Sequence, residues 1–143
     1  MFRLFRRQRV SRQDKAADGL NAAAERFRQA AESVSGADAG LFWDLAEAVD
    51  RLCRHVTENP AHLNPLRRLW VHFIPHSADR ALAWAELARR DPLTPPDRTV
   101  LPYFQAFLDV LHEADEACRR RSFEGLETSV QALETQLQQQ ASP

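Results

Sequence analysis

Four glycines in 143 residues, and no alternating apolar and polar run long enough for a strand, leave little from which to build a sheet. Cysteine is equally scarce. Cys53 and Cys118 lie far apart, without a second cysteine or a histidine at the spacing of a zinc knuckle or redox pair. Both fall on apolar faces of predicted helices and read as reduced, buried thiols. A disulfide between them would require the fold to bring them together. No stretch approaches the roughly 18 consecutive apolar residues of a membrane-spanning helix. No uninterrupted apolar segment of a secretory signal follows the basic start, so a cytoplasmic location is the expectation. A glycine-rich phosphate loop and a serine in a nucleophile-elbow setting are also missing, which leaves phosphatase chemistry without a motif of its own.

The chain does have enough apolar material, 44% of its residues, for one domain with a single core. Its formal charge of -1 conceals an uneven distribution. Residues 1–15 hold Arg3, Arg6, Arg7, Arg9, Arg12 and Lys15 against Asp14, a net of +5, which leaves −6 for the remaining residues. Residues 1–15 are read as a basic arm and 16–140 as a helical domain. In the arm, Phe2, Leu4, Phe5 and Val10 alternate with the arginines, a composition that can enter a lipid interface while Arg3, Arg6, Arg7, Arg9 and Arg12 meet anionic headgroups. The same arm can grip phosphates of nucleic acid, remain disordered or fold back on the acidic body. Nucleic acid is disfavoured, because its binding domains spread basic residues over a folded face.

Helical spacing dominates the rest. Leu20, Ala23, Ala24, Phe27, Ala31 and Val34 predict a first helix with a mostly alanine face, ending near Ser35-Gly36 where glycine suits a left-handed cap. Phe42, Leu45, Val49, Leu52, Cys53 and Val56 predict a second, stopped by Asn59-Pro60. Asn64-Pro65 is a favourable start for a third. Its stripe of Leu66, Leu69, Trp70, Phe73 and Ile74 runs into Pro75, which lacks an amide hydrogen and crowds the carbonyl of Val71. A kink or break is expected there, the helix either continuing or restarting with Ser77 as cap. DPLTPPD is a stiff connector. Asp97 can cap a fourth helix carrying Leu101, Phe104, Leu108, Leu111 and Cys118, with Phe107 alongside; Phe123, Leu126, Val130, Leu133 and Leu137 mark a fifth, whose glutamine-rich end is expected to fray. Short connections favour antiparallel neighbours, so the prediction is a single all-α antiparallel bundle of about five helices.

From Arg67 to Gln140 the order of features resembles the bacterial bromo-chloro-indolyl phosphate hydrolysis protein family, whose members often accompany toxic-anion (tellurite) resistance proteins. The basic pair Arg67-Arg68, the run ending in Phe73-Ile74-Pro75, Trp84 and the closing segment LETSVQALETQL carry the likeness. His72, His76-Ser77 and Arg80 depart from the family pattern. The resemblance implies a helical fold and a setting beside toxic-anion resistance; it brings no catalytic residues with it.

His72 and His76 lie four apart and Asp79 three further on, so an unbroken helix would project two imidazoles and a carboxylate from one side, a spacing that a metal can use. Completing such a site would take another ligand, His112 or Glu113, and the metal could then activate water on a phosphate ester. Surface histidines are the plainer reading. Glu113, Asp115 and Glu116, followed by Arg119, Arg120 and Arg121, read as solvated carboxylates with arginines complementing a helix C-terminus. The expected function is a non-catalytic interaction protein of the bacterial cytoplasm, at the inner membrane surface if the arm engages lipid, with no cofactor. It would dock a protein partner, a toxic-anion resistance protein among the candidates, through the aromatic surface around Trp70, Phe73 and Trp84 or through the last helix, with Arg67 and Arg68 setting orientation. The alternative is a metal-assisted phosphoesterase built on His72, His76 and Asp79.

Overall fold

The computed structural model describes residues 11–91 and 97–141, the last two by backbone alone. Within them five α-helices are arranged as the predicted bundle: α1 (Arg12–Ser33), α2 (Gly36–Glu58), α3 (Ile74–Arg90), α4 (Leu101–Arg120) and α5 (Leu126–Ala141). Ser11 caps α1 by accepting the amide of Asp14 at 3.0 Å, and Asp14 places a carboxylate at the positive end of the helix. Residues 12–15 therefore belong to a helix rather than to an arm. Arg12 donates to Asn64 Oδ1 at 3.0 Å, which ties that turn to the body. Arg3, Arg6, Arg7 and Arg9 lie outside the described residues.

The helices pack in an order set by their side chains. The alanine face of α1, with Ala16, Ala23, Ala24, Ala30 and Ala31 buried, admits two close neighbours, α2 and α3. The other wall of α2 meets α4, and α5 lies outermost on α4. Gly36 has the positive φ, 63°, anticipated near this corner, but it opens α2 instead of closing α1.

A chain of rings runs through four helices. Trp84 of α3 meets Phe42 of α2 edge-on at 5.9 Å, and Phe42 meets Phe104 of α4 at 5.5 Å. Tyr103 touches Phe104 and Phe107, and Phe107 reaches Phe27 of α1 at 6.5 Å. Edge contacts of this kind add about 0.5–1.5 kcal/mol per pair beyond burial. Tyr103 and Ser77, both fully buried, share a hydroxyl hydrogen bond of 2.7 Å, so Ser77 serves the core instead of capping a restarted helix. Burial pushes the Tyr103 phenol up from its ordinary pKa, so it keeps its proton.

Cys53 and Cys118 are buried free thiols. Burial, with the nearby charge of Asp115, pushes Cys118 up to about 11. Removing the ring at the crossing of α2, α3 and α4 is costly: Phe104→Ala is expected to lower stability by about 3–5 kcal/mol. In urea denaturation the midpoint should fall with its slope unchanged.

Candidate functional site

The predicted disturbance at Pro75 takes a definite form. An α-helical residue 75 would donate to Val71, but proline has no amide hydrogen and its ring crowds that carbonyl. Leu69–Phe73 instead form a π turn, with the amide of Ile74 donating to Leu69, five residues back. The helix continues through Pro75 into α3. Upstream, Asn59 Oδ1 accepts the amide of Ala61 and starts a 3-10 turn over Pro60–His62. Turns span residues 63–66, so continuous helix begins at residue 67 and not at the predicted Asn64-Pro65.

The π turn and the start of α3 form one wall of an open groove of about 610 Å³; the far end of α5 forms the other. Val71, Phe73 and Pro75 line the first wall, and Leu137 supplies an apolar side chain opposite. Arg68 holds the walls together. Its guanidinium donates to both Glu127 and Glu134 of α5 and also lies 5.8 Å from the ring centre of Phe73. The hydrogen bond to Glu127 is the main reason its pKa is raised. A planar fork can reach two carboxylates two helical turns apart, a task for which lysine has one point charge.

His72, His76 and Asp79 all line this groove, but they do not form a metal site. Among the described residues no group of three or more His, Cys, Asp and Glu side chains is placed to hold a metal ion. The four-residue spacing presumed a continuous α-helix, whereas His72 sits inside the π turn and His76 beyond it. Asp79 is turned to Arg26 of α1, at 3.3 Å. Of the suggested additional ligands, His112 is exposed on α4 and Glu113 faces a different groove, of about 280 Å³, between α4 and α5.

The residues expected to bind a partner are divided by the fold. Arg67 is exposed, but Arg68 is occupied by α5. Trp70 is half-buried and donates to the carbonyl of Leu63 at 2.8 Å. Trp84 is only 8% exposed and donates to the carbonyl of Asp97, so it is a core residue. The tryptophan in solvent is Trp43, 43% exposed.

Asp115 also departs from expectation. It is not a solvated carboxylate but is 7% exposed, 2.6 Å from His55 Nε2 and 3.1 Å from Arg119. Its position was visible in the pattern, because Leu108, Leu111, Asp115 and Cys118 occupy one helical stripe. His62, buried beside this group, carried no comparable sequence signal.

Comparison of the chain with protein-family models, curated proteins and solved structures finds no match.

Arg68→Ala should cost about 1 kcal/mol, the scale of a partly exposed ionic network. It should accelerate amide exchange in α5 while leaving α1 and α2 protected. Arg68→Lys should not restore α5 protection; unchanged exchange in either variant would show that α5 does not depend on this contact.

Proposed function

We propose that the protein is a non-catalytic helical interaction module that seats a segment of a partner protein in the groove between the π turn and α5. The observation that carries this reading is the composition of that groove. Apolar side chains from both walls lie beside exposed His72 and His76, for which no hydrogen-bond or ionic partner is found among the described residues. Its volume lies within the range that accommodates small ligands and anchor side chains. Such a site fits a partner that inserts an apolar group toward Val71, Pro75 and Leu137. A polar group on the partner then meets the imidazoles. With Arg68 engaged by α5, orientation falls to exposed Arg67.

The resemblance of residues Arg67 to Gln140 to the bromo-chloro-indolyl phosphate hydrolysis family supports a setting beside toxic-anion resistance proteins. A bacterial cytoplasmic location, with contact at the inner membrane surface through Arg3, Arg6, Arg7 and Arg9, completes the proposal. No helix among the described residues is long and apolar enough to cross a membrane.

A photo-crosslinking residue placed at His76 should yield a discrete partner adduct, while the same residue at Gln131, on the exposed face of α5, should not. Leu137→Glu should weaken that association about tenfold or more, equivalent to about 1.4 kcal/mol. Equal adducts from both positions would remove the groove as the docking site. Stoichiometric metal and phosphomonoesterase activity in the purified protein, both lost in a His72→Ala/His76→Ala variant, would replace the docking reading with the hydrolase.

A further inference from the structure

At the opposite end of α5 from the groove's Leu137 wall, three elements converge on His62. The residue closes the 3-10 turn Pro60–His62, is 6% exposed, and its Nδ1 is buried without a hydrogen-bond partner. Its ring packs edge-on to His55 of α2, with centroids 6.0 Å apart, and lies 5.5 Å from the ring of Phe123 in the joint before α5. Asp115 of α4 has no uncommitted oxygen to offer. One oxygen lies 2.6 Å from His55 Nε2 and the other accepts from Arg119 at 3.1 Å. The remaining charged group acting on His62 is Arg121, a cation. The Cys118 thiol, near Asp115, keeps its proton.

With its hydrogen on Nε2, a neutral imidazole leaves a single unpaired acceptor at Nδ1, packs its ring against His55 and Phe123, and requires no counter-ion. An imidazolium does not suit this position. A proton added at Nδ1 would create a buried cation whose new N–H has no acceptor, next to His55 and Arg121.

We propose that His62 is a proton-sensitive catch on the α4–α5 joint: it takes up one solvent proton at Nδ1, leaves its seat against Phe123, and so releases the 60–62 turn and the start of α5.

Burial, followed by the influence of His55 and Arg121, lowers the pKa of His62 below its ordinary 6.5. The open or unfolded chain therefore binds protons more readily than the closed one. The closed form has its full advantage above pH 6.5. That advantage declines as pH falls below 6.5 toward the lower closed-state pKa, and levels off beneath it. The joint is suited to local opening, since it is bounded by two residues with positive φ, Arg121 at 55° and Gly125 at 87°. Arg121 holds that left-handed conformation without being glycine, a strain that opening of the joint relieves. This inference is independent of whether the groove binds a partner.

The test is amide hydrogen exchange of the full chain between pH 7.5 and 5.0, corrected for the intrinsic pH dependence of exchange. In the unsubstituted protein, opening of residues 60–66 and 121–130 should increase about three- to tenfold on acidification, while α1 and the middle of α2 remain unchanged. His62→Phe, which fills an apolar seat and cannot titrate, should abolish the increase. His62→Gln serves as a second non-titrating variant should the phenylalanine be too large. A pH-independent joint in the unsubstituted protein would overturn the proposal, as would an increase that persists in a folded His62 variant. NMR titration of the His62 ring requires no substitution: a midpoint below 6.5 that tracks joint opening supports the catch, and a midpoint at or above 6.5 overturns it.

Discussion

Pro75 is the constraint around which the groove end of the molecule is arranged. A missing amide hydrogen in the middle of an apolar helical run must be accommodated, and here the preceding turn widens to five-residue spacing. That extra residue changes the register between the segment carrying Arg68 and Trp70 and the body of α3. Arg68 then points to α5, Trp70 reaches back to Leu63, and Val71 and Phe73 line a groove instead of extending a uniform helix face. One local violation of helix rules thus sets the position of the groove and the anchoring of the last helix.

Three kinds of contact hold α5, and two of them meet at its first turn, where Glu127 takes Arg68 and the preceding joint takes His62. Leu126, Val130 and Leu133 bury its narrow stripe, while Arg68 joins its carboxylates to the π turn. At its start, the joint rests on Phe123 and the uncharged ring of His62. The ring chain from Trp84 to Phe27 belongs to the four inner helices and does not include α5. The bundle therefore has a firm four-helix centre and an outer helix retained by a few nameable contacts. That distribution suits the proposed docking role of the groove, of which the outer helix forms one wall.

The helical class and the positions of the helices were legible because each has a long three-and-four repeat; Phe42, Leu45, Val49, Leu52, Cys53 and Val56 are all buried as their spacing requires. Pro75 marked the irregular turn, but its form was not legible. A proline can be accommodated by a kink, a restart or a π turn, and the choice depends on packing around Trp70 and Arg68. The same limitation misdirected the His72, His76 and Asp79 reading, whose side-chain spacing assumed regular geometry. Trp84 was expected at a docking surface, yet Ala78, Ala81 and Ala85 of the same helix are buried with it, and these small residues let α3 approach closely enough to bury the indole. Asp115 interrupts an apolar stripe and could have been identified as a buried carboxylate; its partner His55 is sixty positions away, a pairing only the tertiary fold creates.

The central claim is that Pro75 sets the register in which Arg68 grips α5. Restoring an amide at residue 75 permits the turn to shed its extra residue, which would rotate Arg68 by about 100° relative to α3. A double-mutant cycle of Pro75→Ala and Arg68→Ala, measured by urea denaturation, tests this dependence directly. Losing Arg68 should cost less when Pro75 is already alanine, giving a coupling of about 0.5 kcal/mol or more, whereas costs that add to within about 0.3 kcal/mol would mean that Arg68 grips α5 independently of the proline.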